Sequence, residues 1–211
     1  MQRRKNDAPH LILLTRWPEP GTVKTRLIPA LGAEEAARLH RRLSEAAFAT
    51  LCRCRATCGA TVEIRHCGGA ETAMRQWLMA ADHYSAQGDG NLGARLCRAF
   101  ADAFARGQRP VVAIGADCPA LTESHLAAAL AGLADRDLVL GPAADGGYYC
   151  IALKAHQPEL FTAIPWGSAN VLRETLARAT ALHLDHLLLE TLPDVDRPED
   201  LIHLGHHPGP R

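Results

Sequence analysis

The stretch "LILLTRWPEPGTVKTRL", Leu11 to Leu27, governs the reading of the chain. Its first part, Leu11–Thr15, is a short continuous apolar run with no alternation. Strands buried on both faces have that pattern, and they belong to parallel sheets covered by helices. Pro18, Pro20 and Gly21 then force a loop that carries Arg16, Lys24 and Arg26, with Glu19 as its acid. The order strand-then-loop matters, because ligands of open α/β sheets sit beyond the carboxyl ends of the strands.

Working outward, the chain alternates helical and strand-like patterns. The spacing of Leu39, Leu43, Ala47 and Leu51 predicts a helix over Ala33–Cys54, with Gly59 as its stop. "TVEIRHC" reads as a strand, Glu71–Ala80 as a helix, and "HYSA" as a short strand before the glycine-rich loop "QGDGNLG". Ala94–Arg106 is helical, with Leu96, Phe100 and Phe104 four apart. "PVVAIG" (Pro110–Gly115) is a second buried strand, and Thr122–Leu133 a helix. "DLVLGP" and "YYCIAL" are strands around "AADGG". Ser168–Leu182 is helical with Ser168 as its cap, "LDHLLLETL" is a strand and "DRPEDLIHLG" a short terminal helix. This alternation predicts an α/β sandwich with a mainly parallel sheet. One domain spanning residues 1–211, with its core at about 11–204, is expected.

Composition bounds the function. The 211 residues carry no formal net charge, so no global field draws nucleic acid or an anionic membrane. No run approaches the roughly 20 apolar residues of a membrane helix. The basic start "MQRRKNDAPH" lacks the apolar core of a signal peptide, which places the chain in the cytoplasm. Seven cysteines, an odd number, are expected to be reduced thiols. Neither "CRCRATC" nor "HLGHH" (His203, His206, His207) has the paired spacing of a zinc site.

The loops beyond the strands carry the candidate chemistry. Around Pro20, Gly21 lets the backbone approach a ligand; Lys24 supplies a point charge and Arg26 a bidentate fork, both suited to phosphate, with Arg16 nearby. The spacing is not that of a Walker A loop. Asp117 follows a buried strand in "IGADCP", where a carboxylate suits a hard cation and Thr122 serves better as the helix cap. Asp145-Gly146 is either a hairpin turn or a ligand-facing carboxylate, and Gly147 and Tyr148 follow it. Gln87, Gly88 and Gly93 form a loop suited to crossing a base or sugar, or a plain surface loop. Asp196 and Glu199 match a capping box, while Asp194 and Asp196 also reach the metal-binding rim. Trp166 in "IPWGS" either stacks on an acceptor or plugs the core. Cations from one loop facing carboxylates from three others suggest a phosphorylated substrate with a divalent metal.

In this order, "PEPGTVKTRL", "QGDGNLGARL", "IGADCPAL", "GPAADGGYYCIAL", "IPWGS" and "DVDRPEDL" resemble the bacterial DUF2064 family. Its members are also called rSAM/selenodomain-associated transferase 1, and some are labelled arsenosugar-biosynthesis glycosyltransferases. The resemblance implies a GT-A, or nucleotide-diphospho-sugar transferase, fold: a Rossmann-like three-layer sandwich whose mainly parallel sheet has one reversed strand. It implies a nucleotide-sugar glycosyltransferase acting on a small-molecule acceptor. The "KTRL" loop is also similar to that of 2-phospholactate guanylyltransferase, which implies the alternative of nucleotidyl transfer from an NTP. A non-catalytic nucleotide-binding module is the third reading. In the first, Arg16, Pro20, Gly21, Lys24 and Arg26 hold the phosphates; Gln87, Gly88 and Gly93 border the base or sugar. Asp117, with Asp196, holds Mg²⁺ or Mn²⁺. Asp145 acts as base or binds the transferred group, and Gly146, Gly147, Tyr148 and Trp166 receive the acceptor. The chain departs from the family at Arg197, commonly Thr, at Asn91, commonly Asp, and in having one aspartate rather than two in "ADCP".

Overall fold

The structure is a computed structural model that describes residues 8–206. Among these residues seven strands form one sheet: β1 His10–Arg16, β2 Thr61–Cys67, β3 His83–Ala86, β4 Val111–Ile114, β5 Leu138–Pro142, β6 Tyr148–Leu153 and β7 His186–Leu188. Their order is β3-β2-β1-β4-β6-β5-β7. β6 runs antiparallel to β4 and β5, and the other pairs are parallel. The helices are α1 Ile28–Leu31, α2 Ala33–Cys58, α3 Glu71–Trp77, α4 Leu92–Ala105, α5 Glu123–Gly132 and α6 Val171–Ala181. The expected α/β sandwich with one reversed strand is therefore the observed fold.

Strand alternation divides the core into two layers. Leu11, Leu13, Val62, Ile64, Val112 and Ile114 turn to the face covered by α2, α3 and α5, meeting Leu51, Met74 and Leu126. Ile12, Val111, Ala113, Leu140 and Ile151 turn to the other face, under Phe100 and Phe104 of α4 and Ala179 of α6. A third, small cluster joins Leu27 to Ala36, Leu39 and Leu43 of α2 and to Val195 near the other end of the chain. It pins the loop after β1 against a segment that arrives last.

On the α4 side β2 carries charge instead of hydrocarbon. Glu63 is fully buried and Arg65 nearly so. Gln108 Nε2 donates to Thr61 Oγ1 (3.2 Å), Thr61 is bonded to His10 Nδ1 (2.7 Å), and His10 Nε2 donates to Glu63 Oε2 (2.8 Å). This relay is complete with a neutral imidazole. Arg106 adds a second donor to Glu63 Oε2 at 2.5 Å. Arg65 Nε lies 2.6 Å from Glu63 Oε1 but out of line for a hydrogen bond, while its Nη2 donates to Asp102 of α4 at 2.7 Å.

Several element ends differ from the sequence reading. α2 continues one turn past Cys54, because nothing interrupts it before Gly59, whose φ of 71° closes the helix. Cys54 and Cys58 face each other in that last turn, their sulfurs 3.8 Å apart. α4 starts two residues early, since Asn91 Oδ1 accepts from Ala94 N at 3.0 Å. α6 starts at Val171, not Ser168: its exposed Leu172 N–H is satisfied by the carbonyl of Gly146 (2.9 Å), so no serine cap is needed. The strand expected over "LDHLLLETL" shrinks to three exposed edge residues: regular pairing with β5 is interrupted where the Glu190 carbonyl accepts from Tyr149 Oη (3.1 Å), and it resumes as a single bridge between Leu192 and Ala143. The box expected from Asp196 and Glu199 is replaced: Asp200 accepts from Asp196 N (3.0 Å) and Arg197 N (2.7 Å) ahead of a 3-10 helix at Pro198–His206. His207 lies outside the described residues. No helix among those described is long and apolar enough to cross a membrane.

Candidate functional site

A cleft of about 860 Å³ opens beyond the carboxyl ends of β1, β4 and β5. Its first wall is the loop after β1. Val23 and Leu27 are buried on either side of Lys24, whose backbone is left-handed (φ 48°). The loop is thereby clamped with the Lys24 side chain turned inward, only 3% exposed. Lys24 Nζ donates to the Val195 carbonyl (2.5 Å) and pairs with Asp117 Oδ1 (2.5 Å). Val195 N in turn donates to the Asp117 carbonyl (2.9 Å). Arg26, at the exposed rim, pairs with Asp196 Oδ2 at 2.5 Å. Arg16 donates to the Thr22 carbonyl (3.3 Å), which folds the loop back on itself. His40 of α2 holds the start of the loop through the Arg16 carbonyl (3.1 Å), and its burial lowers its pKa.

The second wall is acidic. Asp117, Asp145 and Asp194 all line the cleft. Burial, with the carboxylates of Asp145, Asp200 and Asp117, pushes Asp194 up to about 6. Burial and the carboxylates of Asp194, Asp117 and Asp145 also raise the Cys118 thiol. Asp145 keeps both of its sequence readings: Oδ1 accepts from Gly147 N (2.8 Å) within the β5–β6 turn, and the exposed carboxylate borders the cleft.

The structure gathers Arg16, Lys24, Arg26, Gln87, Asp117 and Asp145 on this cleft, together with Gly147, Tyr148, Trp166 and Asp196. Other expected residues serve the frame. Pro20 and Gly21 are exposed on the outer turn of their loop. Gly88 lies under the Arg98 guanidinium, and Gly93 makes room for the Trp166 indole, which a Cβ would meet at 2.2 Å. Gln87 is 5% exposed; its Nε2 is spent on the Thr15 and Arg65 carbonyls (2.9 and 3.0 Å), which leaves Oε1 beside Arg95 (3.4 Å). The Tyr148 hydroxyl is buried near Thr175 and its pKa is raised by that burial, so only its ring is offered to a ligand. Trp166 is half-buried and stands edge-on to that ring, with centroids 6.3 Å apart. Asp196 is committed to Arg26, while Asp194 is the carboxylate whose charge is opposed by those of Asp145 and Asp117.

Sequence reasoning did not single out His40 or Arg95, which also line the cleft, and weighed His203 only as part of a zinc spacing. His40 falls on the buried stripe of α2, where a histidine looks like core. Arg95 looks like a solvated helix residue.

Gly146 is the hinge pin between the turn and the Trp166 segment. Its φ is 90°, and a Cβ there would lie 2.1 Å from the backbone oxygen of Ala169. Gly146→Ala is therefore expected to lower stability by about 2–4 kcal/mol, because backbone, not a flexible side chain, must give way. Urea unfolding measures this; a loss under about 0.5 kcal/mol, the ordinary range of a surface change, would contradict the fit.

No curated protein matches the chain. Among solved structures, a protein from Desulfovibrio desulfuricans G20, provisionally named a nucleotide-diphospho-sugar transferase, is 32% identical with a TM-score of 0.87, over 95% of this chain and 87% of that one. More distant structures share the fold. One is 4-diphosphocytidyl-2C-methyl-D-erythritol synthase from Anaerococcus prevotii DSM 20548, with TM-score 0.59 and 10% identity over 94% of this chain and 96% of that one. Another is glucosyl-3-phosphoglycerate synthase from Mycobacterium tuberculosis, solved with Mn²⁺, UDP and glucosyl-3-phosphoglycerate; its TM-score is 0.56, at 13% identity over 93% of this chain and 75% of that one. Residues 38–168 match the model of DUF2064, described as an uncharacterized protein conserved in bacteria. With most of the chain matched in this way and its motifs in the family's order, the protein belongs to DUF2064.

Proposed function

We propose that this chain is a transferase acting on an activated nucleotide, and that it moves a glycosyl group from a nucleotide sugar to a small acceptor. The observation that carries the reading is the cleft itself, with a clamped cationic loop after β1 on one wall and carboxylates from three other loops on the facing wall. The similar protein from Desulfovibrio desulfuricans, with its provisional name, supports it.

Lys24 and Arg26, with Arg16, take the donor's phosphates, for which a point charge and a fork are suited. Gln87 Oε1 and Arg95 border the base. Asp145 accepts the proton of an acceptor hydroxyl or binds the transferred group, against a wall formed by the Tyr148 ring and Trp166. The acidic wall fits Mg²⁺ or Mn²⁺: Asp117, Asp145 and Asp194 offer only hard oxygen donors. Among the described residues no group of three or more His, Cys, Asp or Glu is placed to hold a metal ion by itself. Phosphate oxygens and water would then complete the coordination, as suits Mg²⁺. When bound, the ion would neutralise charge on the leaving diphosphate. The test is a thermal-shift series with nucleotide sugars and NTPs, with and without Mn²⁺. Stabilisation by no nucleotide in either condition rejects the reading.

Nucleotidyl transfer is the second reading. It is favoured by the position of Lys24 and Arg26 on one loop directly after β1, within reach of a chain of phosphates. Pyrophosphate release from an NTP would establish it, whereas UDP or GDP release from a nucleotide sugar establishes the first.

Asp194 gives a further expectation. Its folded pKa is raised, so the charged form is disfavoured in the fold above about pH 6. That penalty is present at pH 8 and disappears as pH falls toward the unfolded value of 3.8. Asp194→Asn should stabilise the protein at pH 8 by about 1 kcal/mol, after allowance for screening of a half-exposed group. The gain should vanish at pH 4, and Mn²⁺ binding should weaken. Melting curves at the two pH values check this, and equal gains at both would contradict it.

A further inference from the structure

We propose that Lys24 is a positioning residue that makes cation binding and phosphate binding conditional on each other, by holding Asp117 until a phosphate takes its place. The inference deepens the reading above and rests on it.

In the free cleft Lys24 pairs with Asp117 and Arg26 with Asp196, so two of the three cations expected to grip phosphate already hold a carboxylate, while Arg16 donates to the Thr22 carbonyl. The two pairs are not equivalent. Arg26 and Asp196 are 57% and 32% exposed, which leaves their attraction screened by water. Lys24 is 3% exposed and cannot retreat into solvent. Its backbone is fixed between Val23 and Leu27, and the Val195 carbonyl tethers its ammonium. Asp117 is the half that can turn to a ligand or to water, with its side chain 51% exposed and lining the cleft.

A divalent cation approaching Asp117 therefore meets an ammonium 2.5 Å from the carboxylate it needs. An anion approaching Lys24 meets the same carboxylate. Each ligand alone must break the pair and leave one charge without a partner, which is costly near a buried site. The two together exchange partners: phosphate joins Lys24, the cation joins Asp117, and every charge stays paired. Binding of one thus strengthens binding of the other, and linkage makes the factor the same in both directions. Direct bonding between metal and diphosphate would add its own coupling. The Lys24 contribution has to be read with an anion that coordinates Mn²⁺ weakly.

The experiment measures Mn²⁺ affinity by electron paramagnetic resonance, with and without sulfate at constant ionic strength, for the wild type and Lys24→Gln. Sulfate is expected to raise wild-type affinity about tenfold, within the usual range of such couplings. Lys24→Gln should bind Mn²⁺ about tenfold tighter than wild type without sulfate, and sulfate should no longer help it. A residue that merely supports the fold would give the opposite change, with affinity lost. Should Lys24→Gln fail to fold, the wild-type sulfate series decides alone. Mn²⁺ affinity insensitive to both sulfate and Lys24, or lowered by sulfate, overturns the coupling and leaves the cation site standing. No Mn²⁺ binding by either protein under any condition overturns the cation site and the coupling together.

Discussion

Glu63→Ala is expected to cost about 3–5 kcal/mol of stability, a large share of the roughly 5–15 kcal/mol that keeps an ordinary domain folded. The loss does not come from the attraction of one ion pair. Removing the carboxylate strands the Arg65 guanidinium, 2% exposed, with Asp102 as its remaining acid, and takes the acceptor from His10 and Arg106. Buried charges without partners are what make such substitutions severe. Urea denaturation at pH 7.5 checks it, and a cost under about 1 kcal/mol would show that the network is idle. The same cluster sets the acid response. Burial alone would raise Glu63, but His10, Arg65 and Arg106 outweigh it and hold the carboxyl down to about 2. Burial also lowers His10, which stays neutral in the fold. Both folded values lie below their unfolded ones, so both contributions are present at high pH and lost on acidification. Stability should begin to fall below about pH 6.5, where an unfolded His10 takes up its proton, and fall further between about 4.5 and 2 through Glu63. Glu63→Ala should flatten the lower part of that curve.

Asp117→Asn is expected to lower transfer activity on the order of 100-fold while the fold persists. The amide keeps an oxygen for Lys24 and the half-exposed side chain needs no new packing, so circular dichroism should be unchanged. What is lost is the negative charge that a cation requires. Product release per minute at saturating nucleotide and Mn²⁺ measures the effect; activity within about threefold of wild type would remove Asp117 from the site, since loss of one such group typically costs far more.

The fold was readable because its signals are local. "LILLT" and "PVVAIG" are apolar without interruption, and β1 and β4 are neighbours in the centre of the sheet. The stripe on α2 and the leucines of α5 marked both as helices with a buried side, and the structure packs both sides on one face of the sheet. The reversal of β6 came from the family resemblance rather than from any pattern in "YYCIAL". Where the reading failed, the deciding partner lay far away in sequence. Ser168 looked like a cap until the carbonyl of Gly146 was seen to satisfy the helix start. "TVEIRHC" read as a strand with nothing to mark Glu63 and Arg65 as buried; they are so because α4 brings Asp102 and Arg106 to them. The candidate site behaved likewise. The rule about strand ends gathered Lys24, Asp117 and Asp145 on one rim, but no spacing in the sequence shows that Lys24 and Asp117 hold each other.

The tether between Lys24 and the Val195 carbonyl spans 171 residues. During synthesis the first strand and its loop leave the ribosome long before the segment that fixes them. Contacts so distant in sequence close late, after the loop-closure entropy between them has been overcome. The cleft is thus the last part of the molecule to be assembled, and a nascent chain that already has most of its sheet still lacks a set phosphate grip. A chain cut short before Val195 would carry a recognisable core and an unfinished site.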